Sequence, residues 1–219
     1  MKPIILYSHH SGPNPWKVAM VMEELSIPYE TKFIKFAEVK QEPFISINPN
    51  GRLPAIEDPN TGLTLWESGA IVEYLIDTYD TEHKISYADQ KNKYLLRQWL
   101  HFQVSGQGPY YGQVIFFSRY AEESSPYAIK RFQKEVCRVT GVLERALEGR
   151  DWLVGDKYTY ADLSFIPWQS SISIMNLGDD FYDEFPRVKA WMDRMNERPV
   201  VKKLAEERRA ETAAANGIP

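Results

Sequence analysis

Apolar positions along the chain switch between a period of two and a helical period, and the switches divide it into elements. Residues 4–7 read as a short buried strand, followed by a turn at 8–13 rich in Ser, His, Gly and Pro. Val18, Val21, Met22 and Leu25 then recur at helical spacing, with Asn14 as a favoured N-cap, Pro15 as a favoured first helical residue, and a stop at Ile27-Pro28. Residues 29–36 read as a second strand with Tyr29, Thr31 and Phe33 on one face, which makes a β-α-β start with parallel strands and a right-handed crossover. A helical turn near 43–47 precedes a hairpin in which residues 58–62 connect strand 55–57 to strand 63–66, and a helix from Glu67 to about Tyr79 closes the unit. Residues 80–88 read as a linker.

From Ala88 onward only the helical period persists, through Leu95, Leu96, Trp99 and Leu100, then around 129–147, 159–174 and 186–197. Thr159-Tyr-Ala-Asp162 is a capping box with Asp in place of Glu. The Ala-rich, charged end after Leu204 is expected to continue a helix and then fray. The pattern predicts an α+β chain: a thioredoxin-like lobe with a mixed sheet at residues 1–80 and an all-α helical bundle at 89–219.

Composition narrows the chemistry. With 219 residues and a formal net charge of -4 the chain suits two small lobes and is not a polyanion binder, so no nucleic-acid partner is expected. Residues 1–80 hold 6 Lys or Arg against 11 Asp or Glu, net -5, leaving 20 against 19, net +1, for the rest. The apolar run at 163–178 is broken by Pro167, Gln169 and several Ser, so no membrane span is expected. The first residues hold no signal-peptide apolar run, which makes a cytoplasmic location the expectation. Cys137 is the single cysteine, so any thiol chemistry must use a thiol from outside. Cys137 itself reads as a small buried hydrophobe on an amphipathic helix.

The strand-to-helix junction Leu63-Thr-Leu-Trp-Glu-Ser-Gly-Ala-Ile71 carries the first candidate site. First-turn N–H groups lack internal partners and sit at the positive end of the helix dipole, so Ser68 and its amide suit a carboxylate while Glu67 suits an ammonium group. Together they match the head of a zwitterionic α-amino acid. The purely structural alternative is that Ser68 and Glu67 only start a helix. Three hydrogen-bond donors lie near the first β-α turn: Tyr7, Ser11 and Asn14. Tyr7 lies within the strand and reads as a packed core aromatic. His9 and His10, adjacent in a loop, are expected to project in different directions, and with no Cys or acidic neighbours at ligand spacing a metal site is not expected.

Five blocks carry a resemblance that spans nearly the whole chain: Ser11-Gly-Pro-Asn-Pro-Trp-Lys17, Asn48-Pro-Asn-Gly-Arg-Leu-Pro-Ala-Ile56, Trp66-Glu-Ser-Gly-Ala-Ile71, Trp99-Leu-His-Phe-Gln103 with Ser105-Gly-Gln-Gly-Pro109, and Trp152-Leu-Val-Gly-Asp-Lys-Tyr-Thr-Tyr-Ala-Asp162. On these the chain resembles the cytosolic glutathione transferases, and within them the fungal nitrogen-regulator-like (prion-protein-like) and bacterial nu-class branch, without the Asn/Gln-rich extension of the yeast regulator. The resemblance implies a homodimeric enzyme that binds glutathione as co-substrate and ionises its thiol for attack on a small hydrophobic electrophile or a disulfide. It implies that Leu53 pairs with the cysteinyl backbone of glutathione, that Pro54 is a cis-proline, and that Glu67 and Ser68 hold the γ-glutamyl group. For an anionic tripeptide on a net acidic lobe, Lys40 and Arg52 are candidates for local positive potential, the alternative being solvated surface charge. Asn14 corresponds to the thiol-activating asparagine of that branch and Ser11 to a helper; the alternative for Asn14 is that it caps the helix. His10, Tyr110, Tyr111 and Phe116 are the expected lining of an electrophile pocket; the alternative is that half or more of these aromatics are simply core. The competing reading is a catalytically weak glutathione-fold protein with a regulatory or assembly role.

Overall fold

The computed structural model describes residues 1–215. Backbone packing divides the chain into two compact units, residues 1–86 together with those from Glu197 onward, and Tyr87–Asn196. The C-terminal helix, grouped by its period with the helical bundle, therefore packs within the first unit.

In the first unit β1 (Ile4–Ser8), α1 (Pro13–Glu24) and β2 (Tyr29–Phe33) form the parallel crossover, α2 is Phe44–Ile47, β3 (Ala55–Asp58) and β4 (Leu63–Trp66) form the hairpin, and α3 is Ser68–Tyr79. Strand order is β2-β1-β3-β4, parallel only between β1 and β2. The expected strand 29–36 is shorter, because an edge strand with Phe33 exposed has one neighbour to pair with.

Period-two alternation in β1 sends Ile4 and Leu6 to one face and Tyr7 to the other. The first face, with Val18, Val21, Met22, Ile56, Ile71, Val72 and Leu75, is 0–1% exposed. The second gathers Tyr7, Val39, Phe44 and Ala55, where Tyr7 meets the edge of Phe44 at 5.6 Å. Tyr7 is thus the core aromatic that its place in the strand predicts.

The last helix, α9 (Pro199–Ala215), packs on α1. Val201 and Leu204 are at most 1% exposed, so each contributes about 1.5–3 kcal/mol by burial, more than the ~0–1 kcal/mol of an exposed pair such as Lys203 with Glu23. The charged segment after Leu204 is helical to Ala215, as its composition predicts; the expected fraying falls on 216–219, outside the described residues.

Among the described residues the second unit holds helices and no strand: α4 (Gln90–Phe102), a π-helical turn Gln103–Gln107, α5 (Gly108–Arg119), α6 (Pro126–Ala146), α7 (Tyr160–Gln169) and α8 (Pro186–Asn196), with 3-10 turns at Ile172–Ile174 and Phe181–Glu184. The capping box at Thr159 forms as its spacing predicts, and its fully buried Asp162 also accepts from Leu153 N at 2.9 Å and Trp191 Nε1 at 3.0 Å. Burial raises the Asp162 pKa while these donors pull it back. Among the described residues no helix is long and apolar enough to cross a membrane.

Candidate active site

Strand pairing brings three loops to one end of the first unit's sheet. Tyr7 pairs with Ala55 and Ala55 with Trp66, so residues 9–12 leaving β1, residues 52–54 entering β3, and Glu67 leaving β4 stand side by side. Six of the sequence-predicted residues, His10, Ser11, Arg52, Leu53, Pro54 and Glu67, lie on these loops, with Ser68 and Asn14 in the first turns of the helices that follow.

The Leu53–Pro54 bond is cis, as the resemblance implies; Glu42–Pro43, also cis, had no sequence signal. Asn48 folds the preceding turn by donating from Nδ2 to the Arg52 carbonyl at 2.5 Å and accepting from Asn50 N at 3.0 Å. Gly51 has φ +60, and an added Cβ would stand 3.0 Å from the Val39 carbonyl and 3.1 Å from Lys40 Cγ, so only glycine lets Lys40 lie against this turn. Lys40 and Arg52 are themselves exposed.

Helix α3 begins at Ser68, one residue later than its pattern predicts, because Glu67 takes φ 70 and ψ 113 and leaves the helix. No side chain caps this start. The Ser68 hydroxyl is without a hydrogen-bond partner among the described residues, though the residue is only 6% exposed. Exposed Glu67 accepts from Asn50 Nδ2 at 3.3 Å and attracts the Lys17 ammonium.

Asn14 is not the N-cap of α1. The helix starts at Pro13 with Gly12 as N-cap, which makes no side-chain cap bond, and Asn14 and Pro15 occupy the next two positions. Pro15 is tolerated there because first-turn N–H groups have no intrahelical acceptor to lose. Asn14 and Ser11 are both half-buried.

His9 and His10 also depart from expectation. Their rings lie 3.9 Å apart, and His9 stacks on Phe36 at 3.7 Å, so aromatic packing turns both rings to one side of the loop. Burial and the neighbouring His10 lower the His9 pKa to about 4. The neutral ring accepts at Nδ1 from Ser11 N at 3.2 Å, with Ser11 Oγ at 3.0 Å. This makes Nε2 the protonated nitrogen.

In the second unit Tyr110 is half-buried under Arg138, and Phe116 is 46% exposed against the edge of Phe117. Tyr111 does not line a pocket: it is 0% exposed, and its hydroxyl lies 3.0 Å from Thr140 Oγ1 and 3.2 Å from Gln169 Oε1. Consecutive residues on a helix point about 100° apart, so Tyr110 and Tyr111 were bound to meet different surroundings. Cys137 is partly buried, and burial raises its thiol pKa.

The burial of Lys17 carries no sequence signal. It is 1% exposed, and burial lowers its pKa to about 7 against the pull of Glu67. Between pH 7 and the ordinary lysine value of 10.5 the unfolded chain binds a proton that the folded chain does not, so stability rises with pH in that window, with a slope of up to about 1.4 kcal/mol per pH unit. Urea unfolding at several pH values from 7 to 9.5 is expected to show that rise in the wild type and a flatter profile in Lys17→Met. Parallel profiles would contradict the assignment.

The model of the glutathione S-transferase N-terminal domain matches residues 2–77, and that of the C-terminal domain matches residues 112–199. This chain belongs to the glutathione S-transferase family. A glutathione S-transferase-like protein of Aspergillus fumigatus, tpcF, is 48% identical over 93% of this chain and 95% of its own. The crystal structure of the glutathione transferase URE2P6 from Phanerochaete chrysosporium, solved in complex with oxidized glutathione, is 46% identical and superposes with a TM-score of 0.92 over 96% of this chain and 98% of its own. The nitrogen regulation fragment of the yeast prion protein URE2P is 37% identical, with a TM-score of 0.87 over 93% of this chain and 96% of its own.

Proposed function

We propose that this family member binds glutathione at the loop cluster of its first unit and activates the thiol for attack on an electrophile or a disulfide. The observation that carries the reading is the start of α3, which no side chain caps and where the Ser68 hydroxyl and first-turn amides suit an anionic group beside the Glu67 carboxylate. A γ-glutamyl head supplies the matching carboxylate and ammonium. Leu53, on the loop that enters β3, offers its backbone to the cysteinyl part, and Lys40 and Arg52 add positive potential. The complex of URE2P6 with oxidized glutathione supports the ligand class.

A free thiol has a pKa of about 8.5, so the site must stabilise thiolate at neutral pH. Asn14 is the donor we assign to the sulfur. Ser11 has the weaker claim, since its hydroxyl lies within hydrogen-bond distance of His9 Nδ1, an acceptor. Tyr7 is set aside because it is buried and donates to Glu57 Oε2 at 3.1 Å. Of the expected electrophile-pocket residues, His10 lies on the loop that leaves β1 and stays in the proposal.

Calorimetric titration with reduced and with oxidised glutathione, followed by conjugation and disulfide-reduction assays, tests this. Saturable binding with turnover in at least one assay is expected. Absence of binding would overturn the proposal, and binding without turnover would favour the regulatory reading that kinship to the yeast fragment keeps in view. We further propose a two-fold symmetric homodimer. Sedimentation of the same sample is expected to give the dimer mass, and a monomer at micromolar concentration would contradict it.

A further inference from the structure

Helix α9 runs back along α1 to the loop that begins the site. At its start the Arg198 guanidinium grips the buried Glu24 carboxylate with two bonds of 3.0 Å, and Lys203 pairs with Glu23 at 2.6 Å. Farther on, Arg208 Nη2 donates to the Ser11 carbonyl at 2.9 Å and Thr212 Oγ1 to the His10 carbonyl at 3.4 Å. Trp16 Nε1 donates to that same His10 carbonyl at 3.0 Å, so the loop is held from α1 and α9 together.

Arg208 is the unusual member of this set. A guanidinium carries five donors, and among the described residues the Ser11 carbonyl is its one partner and no carboxylate pairs with it. It is nevertheless half-buried, and desolvation pulls its pKa below the ordinary arginine value. Holding a partly desolvated cation without a counter-ion costs free energy, and an anion arriving nearby would offset that cost. The other titratable groups around the loop are His9, neutral above about pH 4, His10, and Lys17, whose ammonium is already drawn to Glu67.

We propose that Arg208 is a positioning residue for thiol activation: held on the Ser11 carbonyl, it fixes the loop that leads into Asn14 and brings a positive charge to it that favours thiolate over thiol. The inference rests on the assignment of the thiol site to Ser11 and Asn14. It makes the C-terminal helix part of the active site's electrostatics rather than a passive brace.

The test is a titration of enzyme-bound glutathione, followed by the ultraviolet absorbance of the thiolate on the 219-residue protein, with glutathione affinity measured by calorimetry. Arg208→Met is expected to raise the bound-thiol pKa by about one unit, which means ~10-fold less thiolate at any pH below both values; glutathione affinity is unchanged at such pH and falls by up to ~10-fold above them, as linkage requires. Arg208→Lys, which keeps the charge and a donor, is expected to restore most of the thiolate. A bound-thiol titration in Arg208→Met that matches wild type would overturn the inference. Should that variant not fold, Arg208→Gln keeps a donor for the Ser11 carbonyl without the charge, and an unshifted titration there is equally fatal. Asn14→Ala, run alongside, separates the two assignments: a shift in the Arg208 variants without one in Asn14→Ala sinks the Asn14 role alone, and the reverse sinks this one alone.

Discussion

Asn14→Ala is expected to lower turnover roughly a hundredfold, the scale on which one donor to a developing or resident anion counts in a shielded site. The mechanism is a lost hydrogen bond to the glutathione thiolate, so the pH profile of turnover should move to higher pH as well as fall. From the sequence alone this variant carries a confound, because an N-cap asparagine replaced by alanine would lose about 0.5–2 kcal/mol of stability. The structure removes it: Gly12 is the N-cap, and Asn14 sits one turn position inside the helix. Activity of Asn14→Ala is then compared with wild type well below the melting temperature of either protein, where a loss of stability does not mimic a loss of turnover. Ser11→Ala is expected to have the smaller effect, since its hydroxyl faces His9 Nδ1 at 3.0 Å. Cys137→Ser should leave activity nearly intact, because burial holds that thiol protonated. Wild-type turnover and pH dependence in Asn14→Ala, with both lost in Ser11→Ala, would transfer the role to the serine.

The next largest effect belongs to the α3 start. Ser68→Ala and Glu67→Ala are each expected to weaken glutathione binding by about 1–3 kcal/mol, roughly 5- to 150-fold, since each leaves one end of a zwitterion without its partner in a partly buried site. Glu67 adds a second readout. Its φ of 70 is unfavourable for any residue with a Cβ, a strain on the order of 1–3 kcal/mol that the chain carries at this junction. Glu67→Gly should then raise thermal stability while losing binding as Glu67→Ala does. Calorimetry and thermal melts on the three variants decide it. Unchanged affinity in both alanine variants, with the fold intact by circular dichroism, would remove the α-amino-acid site from this end of the sheet.

Most of the fold was legible because local pattern and tertiary demand agree. The hairpin 55–66 has a turn-forming Asp58-Pro-Asn-Thr-Gly62 between two short apolar runs, and it forms in register. The Glu67-Ser68 junction was legible for the same reason, as a strand ending where a helix begins. The start of α1 was not, because Pro13 and Pro15 both suit a first turn, and local rules alone do not choose between them. Tyr111 was misassigned because aromatic content says nothing of direction, and the buried hydroxyl network with Thr140 and Gln169 becomes visible only when α6 and α7 are in place.

By itself the sequence determined the order and kind of the elements, the mixed sheet followed by helices, the capping box at Thr159 and the motifs of the first three loops. These are short-range matters, decided by side-chain period, turn chemistry and helix signals within about a dozen residues. Tertiary structure alone decided that α9 belongs with the first unit, that Lys17 is buried with a pKa near 7, and that Arg208 reaches Ser11 across a separation of 197 residues. Such contacts leave no periodic trace, because each depends on where the chain returns after many independent turns, and a charged residue in a helix reads the same in sequence whether its partner is water, a carboxylate or the carbonyl of a distant loop.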